Sequence, residues 1–144
     1  MEVETKPNKI QQLDEYLASQ RGEWTKKIRE VADELKAGVN LPEVSSYALS
    51  YRQILVDMIA SISSKIRAQK AKLDREYKTA WIGYYNYDYK LSDGQRVRFI
   101  EADLSEDYQI LELLGNQKDF FSNSVKTLDN IGFAIKNRID MKQL

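Results

Sequence analysis

The sequence predicts a mainly α-helical protein, a single domain over residues 1–144, in which long amphipathic helices accompany one small β-hairpin or loop. Apolar residues recur at helical spacing over three long stretches. Residues 44–80 contain neither proline nor glycine, as expected of one uninterrupted helix. An Asp-Gly pair flanked by alternating residues then favours a hairpin. A chain of 144 residues has the size of one domain.

We divide the chain into an N-terminal helical segment (1–40), a long basic amphipathic helix (41–81), a tyrosine-rich hairpin or loop (82–100) and a C-terminal assembly helix (104–144). The first helix is expected from about Lys9 to Ala37, where Gly22 could interrupt it. Gly38 is typical of a helix end, and Pro42 is typical of a first turn. The apolar residues at helical spacing in this first helix are Ile10, Leu13, Leu17, Ile28, Val31 and Leu35.

The second helix carries an apolar stripe and a basic remainder. The 37 residues from Val44 to Ala80 form a helix about 55 Å long at 1.5 Å per residue. A compact sphere of this chain length is only about 37 Å across. We therefore expect the helix to extend beyond its own domain and its apolar stripe to need partner chains. The stripe comprises Ala48, Tyr51, Leu55, Met58, Ile59, Ile62, Ile66, Leu73, Tyr77 and Ala80.

Alternating residues on both sides of Asp93-Gly94 predict the hairpin. Its register stays open. A two-residue turn pairs Tyr89 with Arg98, whereas a shift of one residue pairs the tyrosines with Val97 and Phe99.

The last helix is predicted to start near Ser105, with Glu106 and Asp107 in the first turn, where the helix dipole favours negative charge. Apolar residues then recur every seven positions, as in a coiled-coil seam that Lys118 and Gly132 interrupt. Packing on its own domain and self-association both fit this pattern. The candidate oligomerisation residues are Leu111, Leu114, Phe121, Val125, Leu128, Ile135 and Ile139.

The composition excludes several classes of function. Without cysteine or histidine the chain has no disulfide, no thiolate or imidazole metal site and no Ser/His or Cys/His catalytic pair. None of the six glycines falls in a P-loop or dinucleotide-binding pattern. The N-terminus lacks the basic and apolar regions of a signal peptide. We expect a cytoplasmic, non-enzymatic protein without a cofactor.

The charge is zero overall but uneven along the chain. Residues 65–98 carry nine basic and four acidic side chains, whereas both flanks are net acidic. Such a basic segment can attract a polyanion although the total charge cancels. A phosphate-binding track and a merely solvated helix face both fit the cations of 65–78.

Aromatic residues follow the basic segment directly. Five of the nine tyrosines and one of the two tryptophans lie within the 13 positions 77–89. Proteins that bind single strands combine a positive groove with aromatic rings on which bases stack. Packing of the tyrosines against the helices is the alternative. The candidate DNA-binding residues are Lys65, Arg67, Lys70, Lys72, Arg75, Lys78, Tyr84, Tyr85, Arg96 and Arg98.

Two rival functions remain open. One is a helical structural or adaptor oligomer whose basic face is only solvated. The other is a carboxylate-metal nuclease, because Asp57 followed by Glu76-Tyr77-Lys78 superficially matches a nuclease signature. That signature usually lies on a strand, whereas these residues are predicted in mid-helix. The carboxylates Glu101, Asp103, Glu106 and Asp107 could hold magnesium, but helix-start electrostatics explain them more simply.

The string Gly132-Phe133-Ala134-Ile135-Lys136, followed by Asp140-Met141, resembles the closing motif of the UvsY recombination mediators of T-even-type phages. Residues 68–74 resemble the basic helix of that family. Glu101-Ala102-Asp103 with Asp107 resembles its acidic entry into the last helix. The similarity covers residues 69–141, and a tyrosine-rich segment replaces the family's glycine-rich basic loop.

The resemblance implies a role in phage DNA recombination, repair and replication inside a bacterial host cell. Members bind single-stranded DNA as ring-like homo-oligomers of the hexamer or heptamer class. They help to displace the single-strand DNA-binding protein and load a RecA-like recombinase, without catalytic activity of their own. The family's DNA-contacting basic pair falls on Lys70 and Lys72, and its assembly element falls on residues 111–141.

Overall fold

The computed structural model describes residues 8–86 and 90–142, which form four α-helices and no strand. The helices are α1 (Lys9–Ala37), α2 (Leu41–Tyr85), α3 (Asp93–Asp103) and α4 (Ser105–Lys142). The mainly helical fold predicted from the sequence is thereby confirmed. Among the described helices, none combines the length and the apolar character needed to cross a bilayer.

The ends of α1 and the start of α2 follow from local capping chemistry. The side chain of Asn8 accepts a 2.7 Å hydrogen bond from the backbone N–H of Gln11 at the start of α1. Gly38 ends α1 with φ +69°, in the left-handed region that glycine adopts without strain. Asn40, at φ 53°, and Pro42 then start α2. Helix α1 runs through Gly22 without interruption.

The three long helices form one bundle. Helices α2 and α4 are antiparallel, since Arg52 contacts Asp129 (2.6 Å between Nε and Oδ1) while Gln69, further along α2, donates to the backbone carbonyl of Asp107. Helix α1 packs on both of them and runs antiparallel to α2. The shared core consists of Trp24, Val31, Leu41, Val44, Ala48, Leu55, Ile62, Leu114, Phe121, Leu128, Ile131 and Ile135.

The apolar stripe of α2 is covered within the chain. Leu55, Ile62 and Leu73 are buried, and the other large apolar residues of the stripe are partly buried. The 45-residue helix is about 67 Å long, so the expectation of a very long helix is confirmed. The expectation that partner chains must cover the stripe is not confirmed, because α4 is nearly as long as α2 and lies alongside it.

The heptad seam of α4 also belongs to the chain's own core. Leu114, Phe121, Leu128 and Ile135 are buried against α1 and α2, and the other candidate oligomerisation residues are half-buried: Leu111, Val125 and Ile139. The four buried side chains are therefore covered by the chain's own helices, whereas Leu111, Val125 and Ile139 keep part of their surface exposed.

The most deeply buried polar residue of the seam is Gln117. Gln117 is fully buried, and its amide nitrogen donates to the backbone carbonyl of Leu17 (3.2 Å) and to the side-chain oxygen of Gln20 (3.0 Å). Its own oxygen accepts from Arg21 at 2.7 Å. Because a buried amide is costly unless all its hydrogen bonds are made, Gln117 fixes the register between α1 and α4.

The predicted hairpin is wrong in the described part of 82–100. Ile82 to Tyr85 close α2, and Asp93-Gly94 lie in the first turn of α3. The residues Ser92 and Gln95 cap this helix reciprocally, with backbone-to-side-chain hydrogen bonds of 3.0 and 3.2 Å. Tyr87 to Tyr89 lie outside the described residues.

The hairpin prediction was wrong because two local signals compete for the same residues. Asp-Gly suits a two-residue turn, but Ser-Asp-Gly-Gln is also a capping box. Arg96 and Ile100, the buried residues of this segment, stand four positions apart, while Arg98 midway between them is exposed. A strand would place Arg98 on the same side as both, whereas a helix places it on the opposite side. Packing against α2 therefore selects the helix.

Candidate nucleic-acid interface

The predicted phosphate track lies on the C-terminal half of α2. All six of its cations are exposed: Lys65, Arg67, Lys70, Lys72, Arg75 and Lys78. Their helix is held from one side by α4 and, at its end, by α3. The opposite side of this half faces solvent, as the exposure of Ala68 and Ala71 shows.

Helical spacing divides the six cations into two groups. At 100° per residue, Arg67, Lys70, Arg75 and Lys78 lie within an arc of about 140°. We call these four residues the outer cations. Lys65 and Lys72 lie on another side of the helix; Lys65 borders the groove between α1 and α2.

Lys72 is committed to an ion pair with α4. Its Nζ lies 3.2 Å from Oδ1 of Asp107 and 3.7 Å from Oε1 of Glu76. Asp107 is in the first turn of α4, and Gln69 donates to its backbone carbonyl at 2.9 Å. Lys72 therefore joins α2 to the start of α4. The resemblance implied that Lys70 and Lys72 contact DNA as a pair, but only Lys70 is an outer cation.

The same junction couples two carboxyl groups. A hydrogen bond with Asp107 raises the pKa of Glu76, and burial raises it further. The hydrogen bond from Glu76 and the contacts with Lys72 lower the pKa of Asp107. Asp107 in turn raises the pKa of Lys72 through their hydrogen bond and ion pair.

The outer cations have no carboxylate partner within 4 Å among the described residues. They span about 16 Å of helix at 1.5 Å per residue. At 100° per residue, the small side chain of Ala71 lies within their arc and that of Ala68 lies just outside it. Asp74 also lies within the arc, so this side of the helix carries four positive charges and one negative charge. Asp74 is the one exposed acid in the same part of α2.

Most of the aromatic residues at the end of α2 pack within the protein. Tyr77 stacks on Trp81, with 6.4 Å between ring centroids. Tyr84 stacks on Phe99 of α3 at 5.9 Å, and its hydroxyl donates to the carboxylate of Asp103. Internal packing therefore accounts for Tyr84, which was predicted to bind DNA.

Arg96 does not lie on the phosphate track. It is only 8% exposed, and its guanidinium carbon lies 4.7 Å from the ring centroid of Trp81 and 5.2 Å from that of Tyr85. Its Nη1 is 3.6 Å from Oδ1 of Asp93. No described residue accepts a hydrogen bond from its buried Nε. Arg98, in contrast, is exposed, and its role in DNA binding stays a prediction.

Three apolar side chains remain exposed at this end of the molecule: Tyr85 (71%), Ile82 (62%) and Phe99 (47%). Ile82 and Tyr85 follow Lys78 at intervals of four and seven residues, so they continue the line of the outer cations along α2. Ile82 and Phe99 were not among the predicted site residues. Ile82 could have been found by extending the second helix to Tyr85, but the exposure of Phe99 depends on α3.

The geometry does not support a nuclease site. Asp57 and Glu76 are 19 positions apart on one uninterrupted helix, which separates them by about 28 Å. Within 8–86 and 90–142, no group of three acidic residues is close enough to hold a metal ion. Glu101, Asp103, Glu106 and Asp107 are accordingly helix-end residues in this structure.

No family model, no curated protein and no solved structure matches the chain.

Proposed function

We propose that this protein binds single-stranded DNA as a homo-oligomer and acts as a recombination mediator, which loads a RecA-like recombinase onto DNA coated with single-strand DNA-binding protein. One observation carries the DNA-binding part. The four outer cations project from one side of α2 without a carboxylate partner among the described residues, and their line leads to the exposed ring of Tyr85.

Unpaired cations in a row favour a polyanion. Each phosphate that a Lys or Arg neutralises releases a condensed counterion, which contributes about 0.7 to the log–log salt slope for a single strand. Four engaged outer cations correspond to a slope of about 2.8 per subunit. Lys72 contributes less, because DNA has to compete with Asp107 for it.

The exposed aromatic ring favours a single strand over a duplex. Bases in a duplex are already stacked on each other, whereas an unpaired base can stack on a protein ring, worth about 1–3 kcal/mol. Tyr85 lies seven residues beyond Lys78, about 10 Å along the helix axis. A strand that follows the outer cations therefore reaches this ring.

Assembly into a ring-like oligomer would place several such faces on one strand. Linked weak sites gain avidity of about 10² to 10⁴ from effective concentration alone. The core position of the α4 seam leaves another surface for assembly. Leu49 and Val56 are exposed and flank Arg52 on α2, and the exposed Phe133 lies one turn from Asp129 on α4. Because Arg52 and Asp129 form an ion pair, these three apolar residues lie on one side of the bundle.

The recombinase-loading part rests on the resemblance to the UvsY family. Of the closing motif, Ile135 is buried in the core whereas Phe133 is 65% exposed. Recombinase loading is tested by adding the protein to a RecA-like recombinase on DNA coated with single-strand DNA-binding protein. DNA-dependent ATP hydrolysis by the recombinase is expected to start sooner with the protein than without it. An unchanged lag would contradict recombinase loading.

The DNA-binding part is tested by titrating a fluorescent dT oligonucleotide at several salt concentrations and measuring anisotropy. Lys70→Ala with Lys78→Ala is expected to weaken binding and to lower the salt slope by about 1.4 per engaged subunit, because two phosphate contacts are lost. Lys126→Ala with Lys136→Ala on α4 removes the same charge from exposed positions elsewhere and serves as the matched control.

The control pair is expected to bind like the wild type. Equal slopes for the two double variants would contradict the assignment to α2. A wild-type protein that ignores the oligonucleotide in dilute buffer would leave the adaptor oligomer as the better function.

A further inference from the structure

We infer that Arg96 is a positioning residue for DNA, which acts through the ring of Tyr85 and makes no phosphate contact of its own. The inference rests on the proposed single-strand binding and assigns the role of one residue within that site. It departs from the sequence-based prediction, which placed Arg96 among the residues that touch DNA directly.

The guanidinium of Arg96 joins two rings of α2. Trp81 and Tyr85 are four residues apart and thus lie one above the other on the same side of the helix. Arg96 reaches them from α3, with its guanidinium carbon 4.7 Å and 5.2 Å from the two ring centroids. Attraction between a cation and an aromatic ring extends to about 6 Å, so both contacts are effective.

The protein holds Arg96 firmly in this place. Ser92 and Gln95 cap the helix that carries it, and Ile100, one turn later, is fully buried. Asp93 lies 3.6 Å from Nη1 and partly balances the charge. Together these contacts fix the guanidinium before any DNA arrives.

Contact with Arg96 has a direct consequence for Tyr85. Its side chain is 71% exposed, and without a neighbour it would sample several rotamers. Binding of a base would then have to order the ring, at a cost of about 0.5–1.5 kcal/mol for an immobilised side chain. Arg96 removes part of this cost, because it holds the ring while leaving most of the side chain open to solvent.

A direct phosphate contact by Arg96 does not fit the same geometry. Its side chain is buried between α2 and α3, and a phosphate could reach it only if the aromatic contacts opened. The exposed cations nearby, Lys78 and Arg98, offer phosphates an easier contact. The two roles predict different salt dependence, which makes them separable.

The test measures dT oligonucleotide affinity and its salt slope for Tyr85→Leu, Arg96→Gln and the variant with both changes. Tyr85→Leu is expected to weaken binding about fivefold or more, the lower limit for one stacked base. Arg96→Gln is expected to weaken it less, about threefold, by the ordering cost. The double variant should bind like Tyr85→Leu alone, and every salt slope should stay at the wild-type value.

Two further variants separate positioning from folding. Arg96→Lys keeps the cation over the rings and should bind closer to the wild type than Arg96→Gln does, and Tyr85→Phe keeps the ring and should bind like the wild type. Trp81 fluorescence should change on DNA binding in the wild type and less in Arg96→Gln, against the constant emission of Trp24 in the core. Thermal unfolding of each variant shows whether the bundle is intact.

A salt slope lowered by about 0.7 in Arg96→Gln, or losses that multiply in the double variant, would show a direct phosphate contact and overturn the inference. The inference also fails if Arg96→Gln folds and binds like the wild type while Lys70→Ala with Lys78→Ala still weakens binding; the proposed function then stands. If the wild type binds no oligonucleotide, the proposed function fails with it.

Discussion

Replacement of Phe121 by alanine tests whether the heptad seam of α4 is the core of one chain or an interface between chains. Phe121 is 1% exposed, and its ring lies edge-on to Phe120 at 5.8 Å. Removing a buried phenyl ring lowers the free energy of unfolding by about 3–5 kcal/mol, from lost burial and from the cavity that remains. The ring contact with Phe120 is part of that loss.

The expected shift in melting temperature follows from chain length. An unfolding entropy of about 2.1 cal/mol/K per residue gives about 0.30 kcal/mol/K for this chain of 144 residues. A loss of 3–5 kcal/mol then lowers Tm by about 10–17 °C. A domain is typically stable by about 5–15 kcal/mol, so a folded variant can still be measured.

The assay is thermal unfolding followed by circular dichroism over a wide range of protein concentration. Because Phe121 packs against its own chain, the difference in Tm between variant and wild type should be the same at every concentration. A matched substitution, Tyr16→Ala, removes an aromatic ring from a 62% exposed position on α1 and should change Tm by only a few degrees. A Phe121→Ala deficit that shrinks as the protein is concentrated would refute the reasoning, because mass action would then be stabilising an interface.

Two further outcomes are expected. Phe133→Asp should reduce the mass of the oligomer in sedimentation and should lower Tm only by the part that assembly contributes at that protein concentration, whereas Tyr16→Asp, a similarly exposed site on α1, should leave the mass unchanged. Glu76→Gln should stabilise the protein at neutral pH, measured by thermal unfolding, and should abolish the loss of stability that the wild type shows as pH rises above 4.5, the ordinary pKa of this carboxyl group. The raised pKa of Glu76 gives stability that is complete below its unfolded value and is lost as pH rises through the folded value. The lowered pKa of Asp107 acts in the opposite direction, and its contribution is lost only in stronger acid. Dissociation by Tyr16→Asp, or a pH profile identical in Glu76→Gln and wild type, would count against these two assignments.

Helix ends that depend on local chemistry could be predicted from the sequence. Gly38 and Pro42 mark the turn between α1 and α2 because one adopts a left-handed conformation and the other suits a first turn. The start of α4 at Ser105 follows equally from its acidic first turn. These signals act within a few residues and need no knowledge of the rest of the chain.

Burial could be predicted, but the partner that provides it could not. The seam through Leu114 and Phe121 records only that one side of α4 is covered, and a second copy or the chain's own α1 and α2 would leave the same heptad pattern. The expectation that α2 needs partner chains, drawn from its length relative to the chain, was wrong for a related reason. The comparison with a sphere assumes compact packing, whereas α2 and α4 lie side by side along most of their length.

Lys72 shows most clearly what a linear sequence leaves out of a charged site. Its position on the helix was known beforehand, since 100° per residue already places it at the edge of the apolar stripe and away from Lys70. The unknown was Asp107, 35 residues further along the chain, which turns a free cation into part of a helix junction. The opposite holds for Lys70 and Lys78, because no other described helix brings a carboxylate to them, and Asp74, one turn from each on α2, forms no ion pair within 4 Å with either. A basic segment therefore becomes a binding surface only where the fold leaves its charges unpaired, and in this chain the fold selects the side of α2 that faces away from α4.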